Sequence, residues 1–325
     1  MLVPKCKILI TRVGDDMEVK RWTIERVHSV KITGDSQTFA DTCRIELPKN
    51  IKWAQSEDCP IRRGDIVEVY MGYNDTMSKR FAGWVSEVKA GVPTVITCMD
   101  DVFLLRSVTI KKKLYTNTSI NEIIEDIVPK TVRVKISGEI KISSWRTTAE
   151  TVAGEIGEME DSFPIKAFFE LDEDDEPTLF IFTAWIDGRR NAGSFEEIKN
   201  IISHNLEYRR SEDVKVRIKG ISHLVNGKTI EYIEGDGEEI TKNYYNLTMA
   251  ELKEMVKQEI KREKWSGLNG SFETFGMPKV KKTDTVDLKI EGVRKGRYVV
   301  KGVSVKFDDS GYRQEVELQR KVTDL

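Results

Sequence analysis

The chain has 325 residues, 39% of them apolar and 33% charged, the balance of a soluble globular protein with room for two or three cores. A net charge of −2 excludes the broad basic field that non-specific nucleic-acid binding requires. Cys6, Cys43, Cys59 and Cys98 are spaced too far apart for a metal knuckle or a redox pair, and no apolar run reaches membrane-spanning length.

From residue 1 to about 105 the pattern is almost wholly strand. The first ten residues, Met1 to Ile10, form a β-like run broken by Pro4 and two lysines; without a long apolar core and a small-residue cleavage site, no signal peptide is expected. Val27 to Ile32 is a strand run, and Thr42 to Leu47 alternates before Pro48 stops it. Val67, Val69 and Met71 alternate with Glu68 and Tyr70, the signature of a half-buried strand. Many short antiparallel strands with little helix predict a barrel or sandwich.

The stretch from 106 to 203 changes character. Asn117-Thr118-Ser119 offers a cap to a helix carrying Ile120, Ile123, Ile124 and Ile127, and Pro129 closes it. A strand follows at Val132, Val134 and Ile136. Thr147 to Glu150 has capping-box spacing and predicts a second helix with Val152, Ala153, Ile156 and Met159 on its apolar face. Ile165 to Leu171 and Thr178 to Thr183 read as a hairpin, with the acidic run Asp172 to Glu176 as its solvated tip.

From about 204 the β pattern returns. Val214 to Lys219 alternates cleanly and is matched to Cys43 to Leu47. Thr248 with Glu251 three residues on caps a helix whose Leu252, Met255, Val256 and Ile260 predict docking on the β-module or a neighbouring subunit.

Two distant stretches read as copies. Arg62 to Met71 aligns with Lys281 to Ile290, and Asp284 stands 219 positions after Asp65. Arg80 to Lys89 answers Arg297 to Lys306 at an offset of 217, and Thr94 to Cys98 answers Glu315 to Leu318. The expectation is one topology used twice, in separate sheets. The predicted fold is therefore α+β and mainly β: two similar β-barrel-like modules flanking an α+β insert. The first module takes residues 1–105, the insert 106–203, and the second module 204–325 with its extra helix at about 248–266.

Motifs that carry chemistry are scarce. His28, His204 and His223 have no neighbour at metal-ligand spacing. The acidic run lacks the central Gly and terminal Glu of a calcium loop, and Asn226-Gly227-Lys228-Thr229 lacks the upstream glycines of a phosphate loop. No catalytic, metal-binding or cofactor-binding residue is assigned, and the expectation is a protein that is not an enzyme and needs no cofactor.

Several stretches resemble the central baseplate hub family of phage tails, also called late control protein D. The family is related to the N-terminal part of type VI secretion spikes and to hubs of extracellular contractile injection systems. The resemblance rests on Leu206 to Arg210 leading into the Val214 strand, the capped helix at Thr248, and Glu273 to Pro278. It continues through the Asp284 strand, Gly296 to Val303, and Gly311 to Leu318. Trp145 to Val152 running toward Phe168-Phe169 fits the family's α+β insert. It implies a homotrimer that forms a pseudo-sixfold ring and joins a tail tube to a central spike. The implied partners are further copies of the chain, the tail tube protein, a spike or tail-lysozyme protein and other baseplate proteins. DNA or an effector passes through the channel without specific binding, and nothing inserts into a membrane. The implied location is the tail baseplate or injection-system particle of a phage, prophage or related system, assembled in the bacterial cytoplasm. No oligonucleotide-fold domain is expected to follow, so spike or lysozyme activity is expected on another polypeptide. Glu68, Tyr70, Asp287 and Lys289, on the polar faces of the two copied strands, are the candidate lumen or inter-subunit contacts. Two alternatives are a glycan or cell-wall binding module using Trp22, Trp53, Trp84, Trp145, Trp185 and Trp265, and a peptidoglycan hydrolase.

Overall fold

The computed structural model describes residues 2–14, 18–48, 59–182, 188, 190–224, 226–293 and 295–322. Trp53, Thr183 and Trp185 lie outside the described residues. The first half runs β1 (Pro4–Val13), β2 (Val19–Ile24), β3 (Ser29–Asp35), β4 (Thr42–Leu47), β5 (Ile66–Tyr73), β6 (Thr76–Lys89) and β7 (Thr94–Met99), then the short α1 (Val102–Leu105). Alternation in sequence becomes alternation in burial: Val67, Val69 and Met71 of β5 are fully buried, whereas Glu68 and Tyr70 are not.

The middle runs β8 (Leu114–Ser119), α2 (Ile120–Ile127), β9 (Arg133–Ser137), β10 (Lys141–Arg146), α3 (Val152–Ser162), β11 (Lys166–Leu171) and β12 (Pro177–Phe182). Ser119 and Glu122 form the capping box of α2. The cap of α3 is Thr151, whose hydroxyl accepts from the Gly154 N–H, and not the Thr147 box. Thr147 accepts instead from the Lys113 N–H at 2.8 Å, and the Glu155 carboxylate takes the Thr148 and Ala149 N–H groups. The isoleucine face of α2 and the Val152, Ile156 and Met159 face of α3 share one core with β11 and β12.

The last part runs β13 (Asn191–Glu196), β14 (Ile201–Arg209), β15 (Val216–His223), β16 (Thr229–Gly235), β17 (Glu238–Tyr245), α4 (Met249–Glu263), β18 (Gly267–Phe275), β19 (Thr285–Lys289), β20 (Gly296–Asp308) and β21 (Gly311–Lys321). Strands β16-β15-β17 form a small separate sheet. Leu252 and Val256 of α4 are fully buried on it with Val216, Ile218 and Tyr244. Gly220 permits that approach, since a Cβ there would stand 2.6 Å from Val256. The helix thus packs on its own small sheet rather than on the repeated β-module.

The β-barrel expectation is overturned. Among the described residues thirteen strands form one sheet, and no sheet closes on itself. Gly302–Phe307 of β20 pair antiparallel with Asp35–Val30 of β3, so the strand on which a first-half barrel would close instead joins the two halves. Closure needs every edge paired, and here β14 and β2 end the strand path. A single apolar core runs from Ile8 and Ile45 to Leu288 and Val316.

The two copies share this one sheet, which overturns the expectation of separate sheets, but the strand order still repeats within it. One half has the order β3-β4-β7-β6-β5-β1, and the other β14-β18-β21-β20-β19-β13. Only the last pair differs, β1 lying antiparallel to β5 and β13 parallel to β19. The place of β4 is taken by β18, which pairs with β21 as β4 pairs with β7; β15, matched to it by alternation alone, lies outside this sheet. The register of β20 also corrects the alignment. Val85 pairs with Cys98 and Val300 with Leu318, each just before a bulge. The offset is thus 215, two fewer than the sequence alignment had it. A two-residue slip leaves every side chain on its original face, so alternation cannot detect it.

Candidate assembly surface

The repeated turn before β5 and β19 positions the copied strands. Asp65 accepts the Arg62 N–H at 2.8 Å, and Asp284 accepts the Lys281 N–H at 2.8 Å. Each carboxylate also takes two guanidinium bonds: Arg12 reaches Asp65 at 2.7 and 2.7 Å, and Arg190 reaches Asp284 at 3.3 and 2.7 Å. The same two arginines donate to the carbonyls of Pro60 and Lys279. The next strand then docks alike, with the Val85 N–H on the Asp65 carbonyl and the Val300 N–H on the Asp284 carbonyl, both at 2.8 Å. Gly64 and Thr283 occupy one position of this turn at φ +91° and +66°, a backbone region costly for a β-branched residue. Hydrogen bonding to the paired carboxylate raises both Arg12 and Arg190 above the ordinary guanidinium range. The aspartates were legible in the sequence but their arginines were not, because Arg12 comes from β1 and Arg190 from the residue just before β13.

A buried polar cluster lies where the halves and the middle unit meet. The Lys282 ammonium bonds the Asp41 carboxylate and lies 4.7 Å from the Phe168 ring centre. Asp100 accepts the Asp41 N–H at 2.7 Å and the Val102 N–H at 3.1 Å. Burial pushes the Asp100 carboxyl well above its ordinary value, and the Asp41 charge adds to the shift. Burial also raises Asp41, against the pull of Lys282. Lys279 donates to the Lys79 carbonyl and the Asp175 carboxylate, and Lys281 to the carbonyls of Leu171 and Asp172. The acidic run is therefore solvated only in part: Glu173, Asp174 and Glu176 are exposed, while Asp172 and Asp175 are held. Asp172 is 6% exposed, its carboxylate accepts the N–H groups of Asp174 and Glu176, and the turn is clamped to the second half.

Glu68 and Tyr70 sit together on β5: Glu68 pairs with Lys79 at 2.7 Å and accepts the Tyr70 hydroxyl at 3.3 Å. Asp287 on β19 takes Arg297 at 2.9 and 3.3 Å, which holds its carboxyl below the usual range, while Lys289 lies 4.0 Å from Glu196. The two pairs occupy matching places in the two halves. The four described candidate tryptophans are dispersed, each with its own partner. Trp22 lies under Arg12, Trp84 stacks on Phe103, Trp145 donates to Glu155 and Trp265 meets Tyr298. Among the described residues no group of three or more His, Cys, Asp or Glu is placed to hold a metal, and no helix is long and apolar enough to cross a membrane.

Alternation alone pointed to none of the strand edges. Among the described residues β14 pairs only with β18, and none of its nine residues is buried. Its counterpart β3, paired on both sides, buries Val30 and Ile32.

No protein-family model and no curated protein matches the sequence. Solved structures do. A tail protein from Neisseria meningitidis MC58 superposes with a TM-score of 0.67 at 13% identity, covering 98% of this chain and 96% of that one. The fold is that of phage tail proteins. The 43 kDa tail protein of prophage MuSo2 from Shewanella oneidensis gives 0.63 at 14% identity, over 96% and 98% of the two chains. The E. coli c3393 protein, a type VI secretion component described as structurally similar to the T4 tail proteins gp27 and gp5, gives 0.57 at 9% identity, over 91% and 73%. The likeness agrees with the resemblance seen in the sequence and extends over the whole tail-protein chains.

Proposed function

We propose that the chain is the structural baseplate hub of a phage tail or related contractile injection system. Three copies form a pseudo-sixfold ring that joins a sixfold tail tube to a threefold spike. The observation that carries this reading is the duplication, the same six-strand order and the same aspartate turn used twice within a tail-protein fold. Two equivalent halves per chain are what a trimer needs to present six similar faces. In this reading residues 1–105 and 204–325 build the ring together with β13 and the start of β14, which lie at the end of the 106–203 stretch; the rest of 106–203 projects from it, and the helix near 248–266 belongs to an accessory unit. Glu68, Tyr70, Asp287 and Lys289 offer the polar faces of β5 and β19 to the lumen or to neighbouring subunits.

The ring's partners are the tube protein above, a spike or tail-lysozyme protein below, and other baseplate proteins around it. It works in the particle, after assembly in the bacterial cytoplasm. DNA or an effector crosses the lumen without tight binding, because the mixed-sign surface supplies no dense phosphate-binding field. The chain performs no chemistry in this role. Co-expression with neighbouring tube and spike proteins, followed by particle imaging, tests the proposal. Threefold particles with a central hole support it; a chain that stays monomeric and never enters such a complex overturns it.

A further inference from the structure

We infer that neighbouring copies are joined by strand addition, the free edge of β14 pairing with the end of β6 in the next copy. This goes deeper into the ring reading and rests on it for closure, but the junction itself follows from the duplication. Inside one chain the first half meets the second through β3 and β20, with Gly302 opposite Asp35 and Ser304 opposite Thr33. The equivalent of β20 is β6, offset by 215 as Val85 and Val300 show. The equivalent of β3 is β14, offset by 174, because His204 lies opposite Phe272 as Val30 lies opposite Ile45. So the chain contains the junction once and carries its two halves a second time, unjoined. Among the described residues β14 has no strand partner beyond β18, and the named pairings of β6 with β5 stop at Trp84. Both edges present backbone groups that a strand can take up.

Transferring the register pairs Glu87 with Arg209, Val88 with Tyr208 and Lys89 with Glu207 of the next copy. Nothing in the transfer selects for charge, yet both charged pairs come out opposite in sign. Cross-strand pairs of that kind stabilise a sheet. In the single chain Glu87 and Lys89 face each other along one strand at 3.3 Å, with side chains 53% and 66% exposed. Tyr208 is 55% exposed, and the junction would cover it with Val88. β6 ends at Lys89, so the contact centres on residues 86–89 and 207–210. Because β14 joins β6 of another copy and not its own kind, the contact is heterologous and propagates until it closes.

The test uses the full chain carrying Lys89→Cys and Glu207→Cys, both exposed outer-face positions. In one chain these positions lie seven strands apart along the sheet path, so a disulfide between them joins two copies. Mild oxidation is applied to the concentrated protein and to complexes with tube and spike neighbours. The expected result is covalent dimers and trimers from the double variant and not from either single variant. Lys89→Glu or Glu207→Lys should each weaken association by roughly tenfold, and the combination should restore it. Threefold particles without this crosslink would overturn the strand junction and leave the ring reading standing. Crosslinked open ladders without threefold particles would uphold the junction and sink the ring. Failure of both crosslink and particle would end both.

Discussion

The repeated aspartate turn makes a differential prediction, because the same bonds are set in two degrees of solvent exposure. Asp65 and Asp284 have side chains 3% exposed, but Arg12 is 26% exposed and Arg190 50%. Asp65→Ala removes two guanidinium bonds and the acceptor of the Arg62 N–H. Breaking a buried pair on one side costs about 3–5 kcal/mol. The partial exposure of Arg12 puts this site at the low end, at about 3 kcal/mol. Asp284→Ala removes the same set of bonds, but water reaches Arg190 and screens it, so the expected cost is about half as large. Urea unfolding of the two variants, read at the midpoint and corrected for slope, gives the comparison directly. An Arg12→Ala and Asp65→Ala double-mutant cycle isolates the pair. Equal costs, or a larger cost at Asp284, would show that carboxylate burial and not arginine exposure sets the energy, and the reasoning would fail.

Leu252→Asp places a charge in the fully buried contact between α4 and its small sheet. It should destabilise that unit by about 4 kcal/mol, with loss of hydrogen-exchange protection in β15–β17 and retention in β3–β7; spread of the loss into β3–β7 would contradict the separate packing. Burial pushes the Lys279 ammonium down from its ordinary 10.5 to about 8. The folded chain therefore holds fewer protons than the unfolded chain between those values, and stability should rise with pH across that window, by up to about 3 kcal/mol from this group. Subtracting the stability curve of Lys279→Met should reveal that rise in the wild type, and a flat difference between pH 8 and 10.5 would refute the assignment.

Local sequence determined what depends on neighbours a few residues away. The phase of β5, the boxes at Ser119 and Thr248, and the Asp65 and Asp284 turns follow from alternation, capping and short-range hydrogen bonds, and each needs only its own segment. The duplication was legible for the same reason, since both copies carry the same local turn and phase. Partnership was not. A strand's alternating pattern is unchanged by a shift of two, so it left the β20 register two residues out and could not distinguish β15 from β18 as the counterpart of β4. Cap spacing at Thr147 fitted a helix start, but the carboxylate that served the nearby N–H groups came from Glu155, inside α3. Acidity at Asp172 to Glu176 suggested solvation, yet Lys279 and Lys281, more than a hundred residues away, hold the turn. Whether the sheet closed was decided by β3 meeting β20 across some 270 residues. The row of backbone donors and acceptors that settles such a meeting is the same on every strand, so only the tertiary structure could say which edges meet and which stay open.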